Sequence, residues 1–263
     1  MISSSESRLA AVWPRLAAER RAALIPYLTA GHPDPATSLE AFRVAARHAD
    51  ILEVGVPFSD PVADGPTIQR STFEALGHGV SLASTLDMIE DAAIDIPVVL
   101  FSYFNPVLQF GVERLIARAT ALGIAGLLLT DLPAGADPGT ERLLLDSPLD
   151  LIRLVAPTSR GDRLAVTVAD AQGFLYLVAR LGVTGVSRDL DAGLASSIAR
   201  VRAASALPIA VGFGIATPSQ AREVGHLADG VVVGSAAVEA LRTGGPEALD
   251  RLLGELRQSL EPA

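Results

Sequence analysis

Two carboxylates stand where their chemistry could be used. Glu53 interrupts the apolar run Ile51-Leu52-Glu53-Val54-Gly55, and Asp64 follows in the segment Gly55–Pro66, which carries three prolines and two glycines. A carboxylate at the end of a buried strand is costly unless it is paired or used. Desolvation there raises its proton affinity and suits it to donate a proton. A structural carboxylate bonded to an arginine or a backbone amide would occupy the same place, and on Glu53 alone the two readings stand level. Asp64 alone reads as an ordinary solvated loop carboxylate. Taken together, two carboxylates from one strand–loop unit can face one cleft and divide the proton transfers between them.

A second kind of chemistry is written later in the chain. Val211-Gly212-Phe213-Gly214 ends a β-rich run, and Thr217-Pro218-Ser219-Gln220 then reads as a helix start with a capping box. Val233-Gly234-Ser235-Ala236 repeats the pattern one unit on. Glycines before a helix let backbone amides approach the oxygens of a phosphate. Either motif alone is ordinary turn glycine, but both at successive strand ends describe a phosphate cradle. Tyr176, in another such run, serves equally as core or as site, and Gly182 and Gly185 bracket the loop after it.

Composition narrows the mechanisms. The chain has no cysteine, which removes disulfides, thiolate nucleophiles and zinc–thiolate sites together. Every basic residue is arginine, so no side chain can form a Schiff base. The histidines (His32, His48, His78, His226) are scattered without metal-ligand spacing, and neither a metal nor any other cofactor is expected. A net charge of −9 argues against a broad nucleic-acid surface. Met1 to Pro14 do not read as a signal peptide, and no apolar stretch is clean enough to span a bilayer, so a soluble, cytoplasmic protein is expected.

These residues need a frame. Continuous apolar runs recur at Ala23–Leu28, Ile51–Val54, Val98–Phe101, Gly126–Thr130, Leu151–Val155, Phe174–Val178, Pro208–Val211 and Gly230–Val233. Strands buried on both faces of a parallel sheet have this character. Between them lie stretches of helical spacing, such as Ser38–Arg47, Val112–Leu122, Ser196–Ala204 and Ser219–Leu227. Strand–helix alternation repeated eight times, without a long linker, predicts an α/β fold: a (βα)8 TIM barrel in a single domain over residues 1–263. A helix near Ser5–Glu19 should cover the barrel floor, and a short helix should follow the eighth strand. The Pro/Gly loop then falls at the C-terminal end of a strand, where barrels carry their catalysis.

At this point the residues resemble a known family. Leu52-Glu53-Val54-Gly55-Val56-Pro57-Phe58-Ser59-Asp60-Pro61 and Ala63-Asp64-Gly65-Pro66-Thr67-Ile68-Gln69 are similar to the signature of tryptophan synthase alpha subunits. Supporting segments include Ile25–Gly31, Tyr103-Phe104-Asn105-Pro106, Thr130-Asp131-Leu132-Pro133, Leu154–Thr158, Gly182-Val183-Thr184-Gly185, Gly212-Phe213-Gly214 and Gly234-Ser235. The resemblance runs from about Ala22 to Leu241.

The resemblance implies a carbon–carbon lyase that splits indole-3-glycerol phosphate into indole and glyceraldehyde 3-phosphate. It implies that Glu53 is the general acid/base, that Asp64 accepts the indole N–H, and that Tyr176 lies beside the glutamate. Gly185, Gly214, Gly234 and Ser235 fall on phosphate ligands, and Thr184 starts a lid. Tyr27, Ile68, Phe101 and Phe213 fall on apolar positions around the indole. It further implies a tryptophan synthase beta subunit as partner in an alpha2beta2 complex, with Pro57, Asp60, Asn105 and Pro106 at the interface. Two loops depart from the family pattern. Val178-Ala179-Arg180-Leu181 stands where a serine is usual, and Ala134-Gly135-Ala136 where acidic residues are common. Absence of lysine fits the same reaction, because a protonated indole is its own electron sink. Rival readings are a ribose-phosphate isomerase barrel, which shares the glycines but not the Pro-Phe-Ser-Asp-Pro loop, a catalytically silent activating subunit, and a lyase that needs no partner.

Overall fold

Ser7 starts the first helix, α1 (Arg8–Glu19), by accepting the N–H groups of Leu9 and Ala10 at 3.1 and 3.3 Å. The buried face of α1, Leu9, Val12 and Leu16, joins one apolar cluster with Ala23, Ile25, Ile51, Val99, Leu128, Ile152, Phe174, Ala210 and Val232. The helix therefore closes the barrel floor, as the sequence predicts. The computed structural model describes residues 7–178, 192–212 and 214–262.

The strands are β1 (Ala23–Thr29), β2 (Leu52–Gly55), β3 (Val98–Ser102), β4 (Gly126–Leu129), β5 (Asp150–Val155), β6 (Leu175–Val178), β7 (Ile209–Gly212) and β8 (Gly230–Val233). Each pairs in parallel with the next, and β8 closes on β1. The described helices after α1 are α2 (Pro35–Ala46), α3 (Pro66–Gly77), α4 (Leu82–Ala92), α5 (Phe104–Phe110), α6 (Val112–Ala121), α7 (Pro138–Leu145), α8 (Gly161–Ala169), α9 (Ala192–Ala204), α10 (Pro218–Gly225) and α11 (Ser235–Leu260). The expected TIM barrel is what the chain forms. Among the described residues no helix is long and apolar enough to cross a membrane.

Helix starts precede the sequence reading in α9, which begins at Ala192 and not Ser196, and in α2, which is led by proline. α2 begins at Pro35 behind the N-cap Asp34, ahead of the expected Ser38, because proline's fixed φ suits the first helical turn. The short helix after β8 is the first arm of α11. Gly244 and Gly245 leave helical geometry, and the arm after Pro246 returns along the barrel with Leu249, Leu253 and Leu256 buried.

The period of two along a strand decides what faces the interior. Ile25, Ile51, Val99, Leu128, Ile152, Phe174, Ala210 and Val232 face inward, while Leu24, Leu52, Val54, Leu100 and Leu127 belong to the outer core under the helices. Two positions further along each inward series come Tyr27, Glu53, Phe101, Thr130, Leu154, Tyr176, Gly212 and Gly234. That next layer is the barrel mouth.

Candidate active site

A cavity of about 300 Å³ opens there. Its walls include Tyr27, Ile68, Phe101, Leu154 and Tyr176, with Ala63 to Thr67 on one side and Gly214, Gly234 and Ser235 on another. One end is thus apolar and aromatic, one side acidic, and another made of glycine backbone.

Glu53 is fully buried, and among the described residues neither carboxylate oxygen has a hydrogen-bond partner. Burial alone pushes its pKa up to about 8. It pairs in register with Tyr27 on β1 and Val99 on β3. The Tyr176 phenol is raised well above its ordinary value, first by burial and then by the charge of Glu53. Both tyrosines lie across glycines of neighbouring strands. A Cβ at Gly55 would fall 2.0 Å from the Tyr27 hydroxyl, and one at Gly212 would fall 2.2 Å from that of Tyr176. Gly55 and Gly212 are therefore places where the ring needs the missing side chain. Tyr27, expected among apolar positions, brings a hydroxyl as well.

Asp64 is half-buried on the loop between β2 and α3. The Tyr103 hydroxyl donates to its Oδ2 at 3.1 Å and accepts the Ala63 N–H at 2.9 Å. Gln69 pins the same loop by donating to the carbonyls of Pro61 and Asp64 at 3.2 and 3.0 Å. Burial lifts the Asp64 pKa to about 6, against the opposing pull of the Tyr103 bond. Burial thus raises both carboxyls, and raises Glu53 further, because Asp64 keeps the Tyr103 hydroxyl as a donor.

The glycine side has the form an anion needs. α10 is closed by its own capping box: Thr217 accepts the Gln220 N–H, and the Gln220 side chain accepts the Thr217 N–H. α11 has Gly234 at its N-cap and no side chain on its first amides, which leaves the positive end of the helix open at the cavity. Gly214 holds φ +81°, a conformation that favours glycine.

Thr184, Gly185 and Phe213 lie outside the described residues. The other expected site residues gather at this mouth. Among those expected at a partner surface, Asp60 and Asn105 are exposed and Pro106 is half-buried, but Pro57 is buried at the loop's root. Tyr103, Thr130 and Leu154 were given no role from sequence. The inward period of two would have found Thr130 and Leu154, whereas the reach of Tyr103 to Asp64 leaves no local signal. Among the described residues no group of three or more histidine or acidic side chains is gathered to hold a metal ion.

Residues 14–259 match the family model described as tryptophan synthase alpha chain. The chain belongs to the tryptophan synthase alpha chain family. It is 42% identical to the alpha chain of Gloeobacter violaceus, across 99% of this chain and 96% of that one. It is 46% identical to that of Acidiphilium cryptum, across 90% and 88% respectively. Tryptophan synthase from Mycobacterium tuberculosis superposes with a TM-score of 0.90 at 40% identity, covering 98% of this chain and 99% of that chain. With the family come its class and reaction: a lyase of tryptophan biosynthesis that cleaves indole-3-glycerol phosphate, its alpha chains working in complex with a beta subunit.

Proposed function

We propose that Glu53 and Asp64 perform this cleavage by divided acid–base chemistry, with the phosphate held at Gly214, Gly234, Ser235 and Gly185. Glu53, protonated, gives its proton to indole C3. The positive charge that results is spread toward the ring nitrogen, whose N–H is accepted by Asp64. The Glu53 carboxylate then takes the proton of the side-chain hydroxyl next to the bond that breaks. The electrons of that C3–carbon bond return to the ring, and the hydroxyl carbon becomes the aldehyde of glyceraldehyde 3-phosphate. Glu53 ends protonated again, and no co-reactant is consumed.

The observation that carries this reading is the contrast in setting between the two carboxylates: Glu53 is wholly buried and accepts no bond among the described residues, while Asp64 is half-buried and accepts the Tyr103 hydroxyl. A donor must hold a proton at neutral pH, and an acceptor for a cationic ring must not. Glu53 is screened from the cavity in this conformation, so contact with substrate requires its side chain to turn outward. Tyr27, Ile68, Phe101 and Phe213 enclose the indole, Tyr176 stands beside Glu53, and Thr184 belongs to the lid. Asp60, Asn105 and Pro106 face the beta subunit. The chain acts as one barrel domain, in the cytoplasm.

Glu53→Gln keeps the shape and removes the proton. It should lower kcat by about 10²–10⁴-fold with KM little changed, as for a group acting chiefly in the transition state. Steady-state cleavage of indole-3-glycerol phosphate is the check, and a loss below about tenfold would return Glu53 to a structural role.

A further inference from the structure

Tyr103 is the residue immediately before α5, at its N-cap position, yet its side chain makes no cap bond there. The first amide of the helix, Phe104 N–H, is accepted instead by Asp131 at 2.6 Å, from the end of β4. This leaves the Tyr103 ring free to reach across to the β2–α3 loop. It is only 3% exposed, packs on Phe58 with centroids 5.0 Å apart, and its hydroxyl engages both Ala63 and Asp64. One side chain therefore joins the root of α5 to the loop backbone and to the carboxylate.

What lies outside this joint is a surface. Val62, next to Ala63, is 85% exposed, and Leu108 on α5 is 47% exposed. Asn105 is exposed on the same helix. A partner that covers α5 and the loop together would press on both ends of the Tyr103 link.

The link has room to tighten. Hydrogen bonds from a hydroxyl to a carboxylate settle at about 2.5–2.7 Å, while this one is 3.1 Å. The Tyr103 ring is rigid, buried and packed on Phe58, so its hydroxyl is held to the position of its own backbone at the start of α5. Resting on the reading of Asp64 as the indole acceptor, we propose that Tyr103 is a positioning residue that passes contact of the beta subunit with α5 to Asp64. Seating of the partner shortens the bond, holds Asp64 ionised, and fixes the direction in which it meets the indole N–H. The other titratable groups that feel Asp64 are the phenols of Tyr27 and Tyr176, both raised by burial and so neutral throughout the working range.

Tyr103→Phe deletes the hydroxyl and keeps the ring on Phe58. The experiment is steady-state cleavage against pH, with and without saturating beta subunit, alongside calorimetric titration of beta-subunit binding. Wild type should be stimulated more than about fivefold, within the ordinary range of couplings. The variant should keep its affinity for the beta subunit and its KM, lose most of the stimulation, and show the acid limb of kcat in the complex moved to higher pH. Undiminished stimulation of the variant would overturn the proposal, as would lost stimulation that merely follows lost binding. Asp64→Asn, measured in parallel, separates the two levels. If it cleaves like wild type, the role of Asp64 itself is wrong. If it is crippled while Tyr103→Phe is stimulated normally, the link alone fails.

Discussion

Asp50 lies two residues before β2 and Glu53 is its second residue, both almost or wholly out of solvent, and their surroundings differ in every respect. Asp50, on the floor side, accepts a two-pronged pair from Arg21 at 2.7 and 2.8 Å, with Arg15 at 2.9 Å and Arg257 at 3.0 Å. The Leu24 N–H adds a further bond at 3.0 Å. Glu53, on the mouth side, accepts no bond among the described residues. Burial would raise both, but at Asp50 the bonds from Arg21, Leu24 and Arg15 prevail and hold it below the ordinary carboxylate range. At Glu53 burial acts unopposed. The floor carboxylate ties α1, the start of β1 and the last turns of α11 together. The mouth carboxylate is left costly, and that cost keeps its proton in place. Barrels ordinarily divide stability and chemistry between their two faces, and here the division runs along one strand.

The largest way to break this comparison is to remove the floor charge. Asp50→Asn takes the shared charge from Arg21, Arg15 and Arg257 and leaves the buried Arg21 guanidinium only its bond to Glu19 at 2.7 Å, and losing one partner of a buried pair costs about 3–5 kcal/mol. Urea unfolding should register that loss, while kcat per folded molecule stays at the wild-type value. A variant as stable as wild type but catalytically dead would erase the distinction between floor and mouth.

A smaller effect sharpens the mouth. Gly234 has φ −99°, open to any residue, and the nearest atom to an added Cβ is Tyr27 Cβ at 3.8 Å, so a side chain fits without disturbing the fold. Gly234→Asp sets a negative charge on the open end of α11. It should raise KM, and the inhibition constant of glycerol phosphate, by about tenfold, as expected for up to ~2 kcal/mol of helix-end electrostatics. Unchanged values of both would move the phosphate elsewhere.

The barrel and most of the mouth were legible because both follow from short-range rules. Continuous apolar runs gave the buried parallel strands, and the charge inside Ile51–Gly55 marked Glu53 before any packing was known. The Thr217/Gln220 capping box was written in adjacent residues and forms as read. Contacts between distant segments were not legible. Tyr103 and Asp64 lie 39 residues apart, and nothing in either neighbourhood requires their bond. The burial of Pro57 depends likewise on how the loop folds back, which residue types do not dictate. The floor network was hidden for the same reason: Asp50 and Arg257 are 207 residues apart.

The two carboxylates should also leave opposite marks on stability. Asp50 adds stability that is present above its unfolded pKa of about 3.8 and is lost as pH falls through its lower folded value. Glu53 acts with the reverse sign. Unfolded, it releases its proton near 4.5; folded, it keeps the proton up to about 8. Between those values the unfolded chain binds fewer protons, so stability declines as pH rises.

The central claim, that Glu53 waits in the folded chain as a neutral acid, is tested most directly by infrared difference spectroscopy of wild type against Glu53→Gln across this range. The account predicts a protonated carboxyl C=O band at neutral pH that is absent from the variant and disappears with a midpoint near 8. A spectrum showing Glu53 already ionised at neutral pH would contradict it.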